Sequence, residues 1–326
     1  MPSAISYHQN SDNESENGSV DATDGTHYIR HSDHDVDELE GSEFPRYFHE
    51  SDNRLFHSSP TSPYPLPVDT PEQERLKAFN ILINQLIGAH FVGPVPNILA
   101  YNPNRQPHVL DLCNGTGTWL MEIARQFPWV LFTGIDIVPI ATRYPLPNVR
   151  FEIGDITEEL RWPDASFDFI HARTRVMRPG GLYLSGELET AVSFHSGNAP
   201  AASPEQYAPA STLFFQVVND ALQHRGINHD VSQIADHLRN AGSFVNVETR
   251  VIHIPVGGWH SVTSWKELGR DLQGILVRFA DSVKPMLRDA GHTQAYIDLL
   301  VQNFEAEMDT TPGMLAAYHI VQATRS

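Results

Sequence analysis

Large apolar residues are sparse over the first 45 positions, return at helical spacing after residue 70, and then fall into short blocks separated by polar stretches. Leu76, Phe79, Leu82, Ile83, Leu86 and Ile87 recur at three- and four-residue steps, which predicts one apolar helix face. Thr70-Pro71-Glu72-Gln73 has the form of a capping box with proline at the first helical position, and Gly88 and Gly93-Pro94 end the helix. Past a proline-studded linker, His108–Leu112 reads as a buried strand and Thr116–Phe127 as a helix stopped by Pro128. Further strands are predicted at Val130–Ile135, Val149–Ile153, Phe167–Ile170 and Leu182–Ser185. Strands alternating with helical or loop segments argue for a mainly parallel α/β sheet.

The last third predicts helices at Ser211–His224 and Val231–Ala241, the second opened by Asp230 and closed by Gly242. Phe244–Ile254 places Val245, Val247, Thr249 and Val251 on one side, the alternation of a strand. Amphipathic stretches at Ser264–Arg288 and Thr293–Met308 precede a last strand at Met314–Ala323. No internal repeat is visible.

Composition divides this pattern into parts. Residues 1–45 hold eleven acids against one base, Arg30, so more than half of the formal charge of −18 sits there. A segment so polar cannot bury enough surface to offset its ordering entropy, and a disordered acidic tail is expected over 1–45. Its histidines, His8, His27, His31 and His34, lack a fixed metal-ligand spacing and read as solvated, so no metal is expected. Residues 46–107 form an N-terminal helical extension and linker, and 108–326 the sheet domain with C-terminal helical insertions. Acidity and the lack of a basic stripe argue against nucleic acid as a partner. The tail suits contact with a protein partner.

A single cysteine, Cys113, excludes an internal disulfide and a cysteine-cluster zinc site. No apolar run approaches the roughly 18 residues that a membrane span needs, and no signal segment opens the chain. A cytoplasmic protein without membrane contact is expected, with the nucleus as the alternative.

Candidate chemistry gathers where the first strand of the sheet breaks. Val109-Leu110-Asp111-Leu112-Cys113-Asn114-Gly115-Thr116-Gly117 is a buried strand running into a glycine-bearing turn that opens a helix. Open parallel sheets bind ligands at the carboxyl ends of their strands, which is where this turn must lie. Asp136, nineteen residues after Gly117, ends the next strand beside Ile137, at the spacing of an acid that takes ribose hydroxyls. Asp155, followed by Ile156, ends the third strand and is placed to accept an adenine amino group. A dinucleotide fingerprint wants a small residue where this chain has Leu120, so a ligand without pyrophosphate is favoured, pointing from NAD toward S-adenosylmethionine. The plain alternative is that Asp111 and Asp136 are surface acids beside a structural turn.

Taken in order, several segments carry a resemblance. They are Tyr64-Pro65-Leu66-Pro67-Val68-Asp69, the Asp111–Trp119 turn, the Asp136 strand end, Phe151-Glu152-Ile153-Gly154-Asp155, Phe167-Asp168-Phe169-Ile170-His171-Ala172-Arg173, Arg178-Pro179-Gly180-Gly181 and Pro255-Val256-Gly257-Gly258-Trp259. From about Tyr64 to its end the chain resembles the fungal LaeA-like family of S-adenosylmethionine-dependent methyltransferases. The resemblance implies a Rossmann-like class I methyltransferase sheet with helices on both faces. S-adenosylmethionine would be held by Asp111, Cys113, Asn114, Gly115, Gly117, Asp136, Ile137, Asp155 and Ile156. His171, at the end of the fourth strand, is the candidate base. The implied activity is methylation of a small-molecule substrate, most simply O-methylation in secondary-metabolite biosynthesis. The alternative is a non-catalytic regulator acting through protein partners.

The chain departs from that family twice. Cys113 stands where relatives usually have glycine, and between Arg173 and Pro179 five residues replace roughly two dozen that include a helix. Nine residues from His171 to Pro179 reach about 30 Å when extended, enough to return along a short strand of about 17–20 Å. The crossover helix is therefore expected to be missing or minimal. One face of the sheet would lose its cover, leaving an apolar patch or drawing another element across it.

Overall fold

The protein was analysed as a computed structural model that describes residues 41–158, 160–171, 176–194 and 203–326. Most of the acidic tail, its four histidines, and Thr174 and Arg175 of the short crossover lie outside the described residues. The extension starts with a single helical turn, α1 (Phe44–Tyr47), then a hairpin of β1 (Phe48–Ser51) and β2 (Arg54–His57). Asp52 and Asn53 join these strands at φ of 54° and 58°. Two central residues with positive φ make the tight turn that matches strand twist.

Helix α2 (Thr70–Ile87) begins one residue earlier than a capping box at Thr70 requires. Its cap is Asp69, whose carboxylate accepts from the Glu72 amide, while Arg54 donates to the same carboxylate at 2.5 and 3.0 Å. Glu72 is the third residue of this helix. It is buried, paired to Arg75 at 2.6 and 2.9 Å and reached by the Ser282 hydroxyl at 2.6 Å. A short α3 (Val95–Ile98) ends the extension.

The sheet domain runs β3 (His108–Leu112), α4 (Thr118–Gln126), β4 (Leu131–Asp136), β5 (Val149–Ile153), β6 (Phe167–His171), β7 (Met177–Leu188) and β8 (Ser193–Phe194). It continues with α5 (Pro204–Tyr207), α6 (Pro209–His224), a 3-10 turn at Val231–Gln233, α7 (Ile234–Asn240), β9 (Phe244–Pro255), α8 (Thr263–Asp289), α9 (Gln294–Thr310) and β10 (Met314–Arg325). Among the described residues one sheet has the order β5-β4-β3-β6-β7-β10, with β8 and β9 both pairing to β10. Neighbours from β5 to β7 are parallel, and β10 is antiparallel to β7. The order reverses at β3, between β4 and β6, and the glycine turn leaves that strand.

Alternate side chains separate two cores. Val109, Phe169, Leu184 and Tyr318 pack with Leu82 of α2, Leu120 of α4, Phe214 of α6, Leu276 of α8 and Phe304 of α9. Leu110, Leu112, Ile135, Ile170, Tyr183 and Val321 face the other way, toward Ala235 and Leu238 of α7. The Rossmann-like arrangement with helices on both faces is thus present, thick on one side and thin on the other.

The thin side is where the crossover is short. Val176 turns back beneath β6, its carbonyl accepting from the amides of Ser166 and Phe167, and Met177 starts β7. Val176 and Met177 are buried and belong, with Ile156, Leu160 and Trp162, to the thin-side cluster. Leu110 and Ile170 in the same cluster are fully buried, so no apolar patch is left open at these positions. On β9 the apolar side seen in the sequence faces outward at Val245 and Val251, while Ile254 is buried with the thick-side core.

Candidate active site

At the end of β3 the backbone enters the left-handed region at Cys113, Gly115 and Gly117, with φ of 61°, 54° and 74°. The amides of Cys113 and Asn114 both donate to the Ile135 carbonyl, at 2.8 and 3.2 Å, tying the turn to the end of β4. Asp136 follows directly. Its Oδ2 accepts from the Gly115 amide at 2.8 Å and its Oδ1 from the Val138 amide at 3.2 Å. Turn and carboxylate therefore meet, as a nucleoside site requires. Burial pushes the Asp136 pKa up, with the Asp111 charge adding to it, and the amides of Gly115, Val138 and Ile137 pull it back.

The residues present fit a nucleoside-bearing cofactor. The Asp136 oxygens accept from the Gly115 and Val138 amides, and a carboxylate, with about four acceptor sites, keeps capacity for a vicinal diol. A Cβ at Gly115 would meet nothing within 4 Å, so the bend faces open space. A Cβ at Gly117 would fall 2.3 Å from the Phe151 ring, which requires glycine there on both φ and contact. Asn114 donates to the Gly115 carbonyl, and its own Oδ1 is buried with no hydrogen-bond partner, an acceptor awaiting a donor.

Beside the bend, Asp111 is buried and its Oδ1 lies 2.8 Å from Nδ1 of His171. The His171 ring stacks on Trp119, whose indole N–H is fixed by the His90 carbonyl at 2.8 Å. A carboxylate at Nδ1 holds the ring as the Nδ1–H tautomer and leaves Nε2 as an acceptor. Desolvation by surrounding protein raises the Glu187 pKa against the pull of His171. Glu189 is not its partner, being 3.2 Å from Nε2 of His319. Tyr64 is 36% exposed. Burial and the charge of Glu72 raise its phenol pKa, with smaller influences from Arg75, Asp136 and Cys113.

Asp155 is engaged differently from the adenine role expected of it. Its Oδ1 accepts from the Thr157 amide and hydroxyl at 2.8 and 2.6 Å, and its Oδ2 from Ser59 and Thr61 at 3.0 and 3.1 Å. Burial would raise its pKa, but these hydrogen bonds outweigh it and hold the carboxyl below its usual value. Ile156 packs into the thin-side core, and Ile137 packs beside Phe48, Val68 and Val138 under the N-terminal hairpin. Asp111, Cys113, Asn114, Gly115, Gly117, Asp136, Ile137 and His171 thus share one end of the sheet. Tyr64, Phe151, Ser59 and Thr61 join them unforeseen. The tyrosine stood in a marker segment, but nothing in its spacing said that the proline-rich stretch folds back over the turn.

Two further features lie elsewhere. A cavity of about 500 Å³ opens at the starting ends of β6 and β7, where Arg105 and Arg178 both reach Asp168. Trp259 donates to the Met314 carbonyl at 3.1 Å, a structural contact. No group of three metal-ligating side chains occurs among the described residues, and none of their helices is long and apolar enough to cross a membrane.

Comparison with known proteins agrees with this geometry. Residues 109–181 match a family described as a methyltransferase domain. The chain is 27% identical over 274 residues to the secondary metabolism regulator laeA of Coprinopsis cinerea, covering 77% of this chain and 67% of that protein. It is 27% identical to the Aspergillus flavus protein of the same name, covering 68% and 62%. It is 25% identical to the protein-methionine methyltransferase laeA of Emericella nidulans, covering 68% and 61%. The chain thus spans about three fifths to two thirds of these relatives. A Haemonchus contortus phosphoethanolamine N-methyltransferase 2, solved with S-adenosyl-L-methionine, aligns with a TM-score of 0.40 and 14% identity over 87% of this chain and 72% of that one. The methyltransferase-domain match and the laeA relatives make this chain LaeA-like in sequence, and a methyltransferase domain of this kind takes S-adenosylmethionine as its cofactor.

Proposed function

We propose that the protein methylates an oxygen of a small-molecule intermediate in fungal secondary metabolism, using S-adenosylmethionine. The observation that carries the cofactor half is the 2.8 Å contact between the Gly115 amide and the Asp136 carboxylate beside a bend that faces open space. S-adenosylmethionine, when bound, supplies a sulfonium methyl for in-line displacement. Asp136 would accept the ribose hydroxyls, Asn114 Oδ1 would take a donor, and the glycines let backbone approach closely. Asp111 orients His171 so that Nε2 can receive the proton of an acceptor hydroxyl, and Trp119 fixes the plane of the ring. Such a positioned base contributes on the order of 10²–10⁴ in rate, and orientation of the acceptor removes several kcal/mol more, about 7–11 at the upper limit.

A titration tests the cofactor half. Saturation at about 100 times the dissociation constant should stabilise the fold by roughly 2.7 kcal/mol. No thermal shift with S-adenosylmethionine or S-adenosylhomocysteine overturns it. Transfer of labelled methyl to pathway intermediates tests the acceptor half.

The relatives' names favour a second reading, regulation through protein partners, in which the acidic tail makes the contact. Under that reading label from S-adenosylmethionine stays out of the small-molecule fraction. The enzyme reading puts the protein in the cytosol and the regulatory one in the nucleus, which a fluorescent fusion separates.

A further inference from the structure

Between β2 and α2 the chain crosses the rim of the proposed nucleoside site as a strap, Ser58 to Asp69, that holds two serine-proline steps, Ser59-Pro60 and Ser62-Pro63. A residue before proline is kept extended, the form in which kinases read their substrates, and Pro60 and Thr61 are exposed. Two latches hold the strap. At its base His57 accepts from the Ser59 amide at 3.1 Å through Nδ1 and lies 2.8 Å from the Tyr64 carbonyl through Nε2. At its rim Ser59 donates to Asp155 at 3.0 Å, lies 3.2 Å from Thr61 Oγ1, and accepts from the Ser62 amide at 3.2 Å.

We infer that Ser59 is a phosphorylation site for a proline-directed protein kinase, and that phosphate there unlatches the strap from the cofactor site. The inference rests on reading the Asp136 hollow as that site. The kinase would move the γ-phosphoryl of ATP to Ser59 Oγ: an O–P bond forms, the bond to the β-phosphate oxygen breaks, ADP leaves, and the hydroxyl proton passes to the kinase base.

The product cannot keep the present contacts. Ser59 loses the hydrogen it gives to Asp155 and gains about 1.5 to 2 negative charges facing a carboxylate. Asp155 is held ionised by its hydrogen bonds, so the pair repels. Ser62 is the weaker candidate. Its hydroxyl oxygen receives only the Tyr64 amide, at 3.4 Å, and no bond joins it to Asp155. Thr61 touches Asp155 but is followed by serine. Asp155, which holds Ser59, follows Gly154, whose amide donates to the Asp136 carbonyl at 2.8 Å, so release at Ser59 acts next to the site itself.

The test incubates the full chain with ATP and a proline-directed kinase, locates phosphate by mass spectrometry, then measures amide hydrogen exchange over residues 54–69 and the dissociation constant for S-adenosylmethionine. Phosphate at Ser59 should speed exchange in the strap at least tenfold and weaken the cofactor at least tenfold. In the phosphorylated protein Asp155→Asn, which removes the opposing charge, should restore part of the protection. Ser59→Ala should take no phosphate there and show neither change. Phosphate confined to Ser62, or at Ser59 with both readouts within twofold, overturns the inference. If the unmodified chain does not bind S-adenosylmethionine, the cofactor reading fails, and exchange alone still decides whether the strap unlatches.

Discussion

Nδ1 of His171 lies 2.8 Å from Oδ1 of Asp111, while the face of the imidazole rests on Trp119 with ring centres 4.2 Å apart. Edge and face are both fixed, which is how a ring is held with one nitrogen presented to a cleft. Nitrogen NMR should show His171 as the Nδ1–H tautomer, and Asp111→Asn should mix the tautomers. On an acceptor that is turned over, the same variant should lower kcat on the order of 10²-fold or more with little change in KM for S-adenosylmethionine. An unchanged tautomer and rate would remove His171 from the mechanism.

In the proposed reading Asp136 is the main anchor of the nucleoside. Calorimetry on Asp136→Ala should show S-adenosylmethionine affinity down by about two orders of magnitude, roughly the 2–3 kcal/mol expected for hydrogen bonds to a charged group. Retention of affinity would mean that the ribose lies elsewhere.

Cys113 sits at φ 61°, where a side chain costs about 1–2 kcal/mol relative to glycine. Glycine gives back about 0.5–1 kcal/mol through the freer unfolded chain. Urea denaturation should therefore find Cys113→Gly more stable by about 0.5–1 kcal/mol, and cofactor binding no weaker. A less stable variant would show that the thiol makes a contact worth more than the strain.

His108 carries a pH dependence. Burial lowers its pKa from 6.5 to about 4, with Asp168 opposing and Arg178 assisting. Between those values the unfolded chain binds the proton and the folded one does not. Stability from this group is full above pH 6.5 and is lost as pH falls toward 4, by about 3 kcal/mol in all. His108→Gln should flatten this part of the stability curve, and an unaltered slope would refute the assignment.

The buried Glu72–Arg75 pair with Ser282 joins α2 to α8. Arg75→Met strands a carboxylate in the core and should cost about 3–5 kcal/mol, read as a lowered Tm. Changing both Glu72 and Arg75 to apolar residues should cost much less, because no charge is left behind.

Much of this architecture was legible from apolar spacing. His108–Leu112 and Val149–Ile153 form strands at the expected bounds, and the Gly115 bend and Asp136 were readable from their separation along the chain. The β1–β2 hairpin was not, because His49 and Arg54 break any alternation and its turn uses Asp52-Asn53 rather than glycine. Asp155 shows a second limit. Its place at a strand end was visible, but which donors reach it depends on Ser59 and Thr61, some 95 positions away. The cap of α2 moved from Thr70 to Asp69 because Arg54 holds that carboxylate, a tertiary contact that local sequence cannot announce.

With five residues between His171 and Met177, the chain separates two jobs that a crossover helix usually performs together. Reconnecting neighbouring parallel strands takes only chain length, whereas keeping water off the sheet takes bulk, and here the thin-side cluster draws that bulk from Val176, Trp162, Ala235, Leu238 and Phe244 together. Cover for a sheet face is thus decided by which side chains meet there, whatever element links the strands.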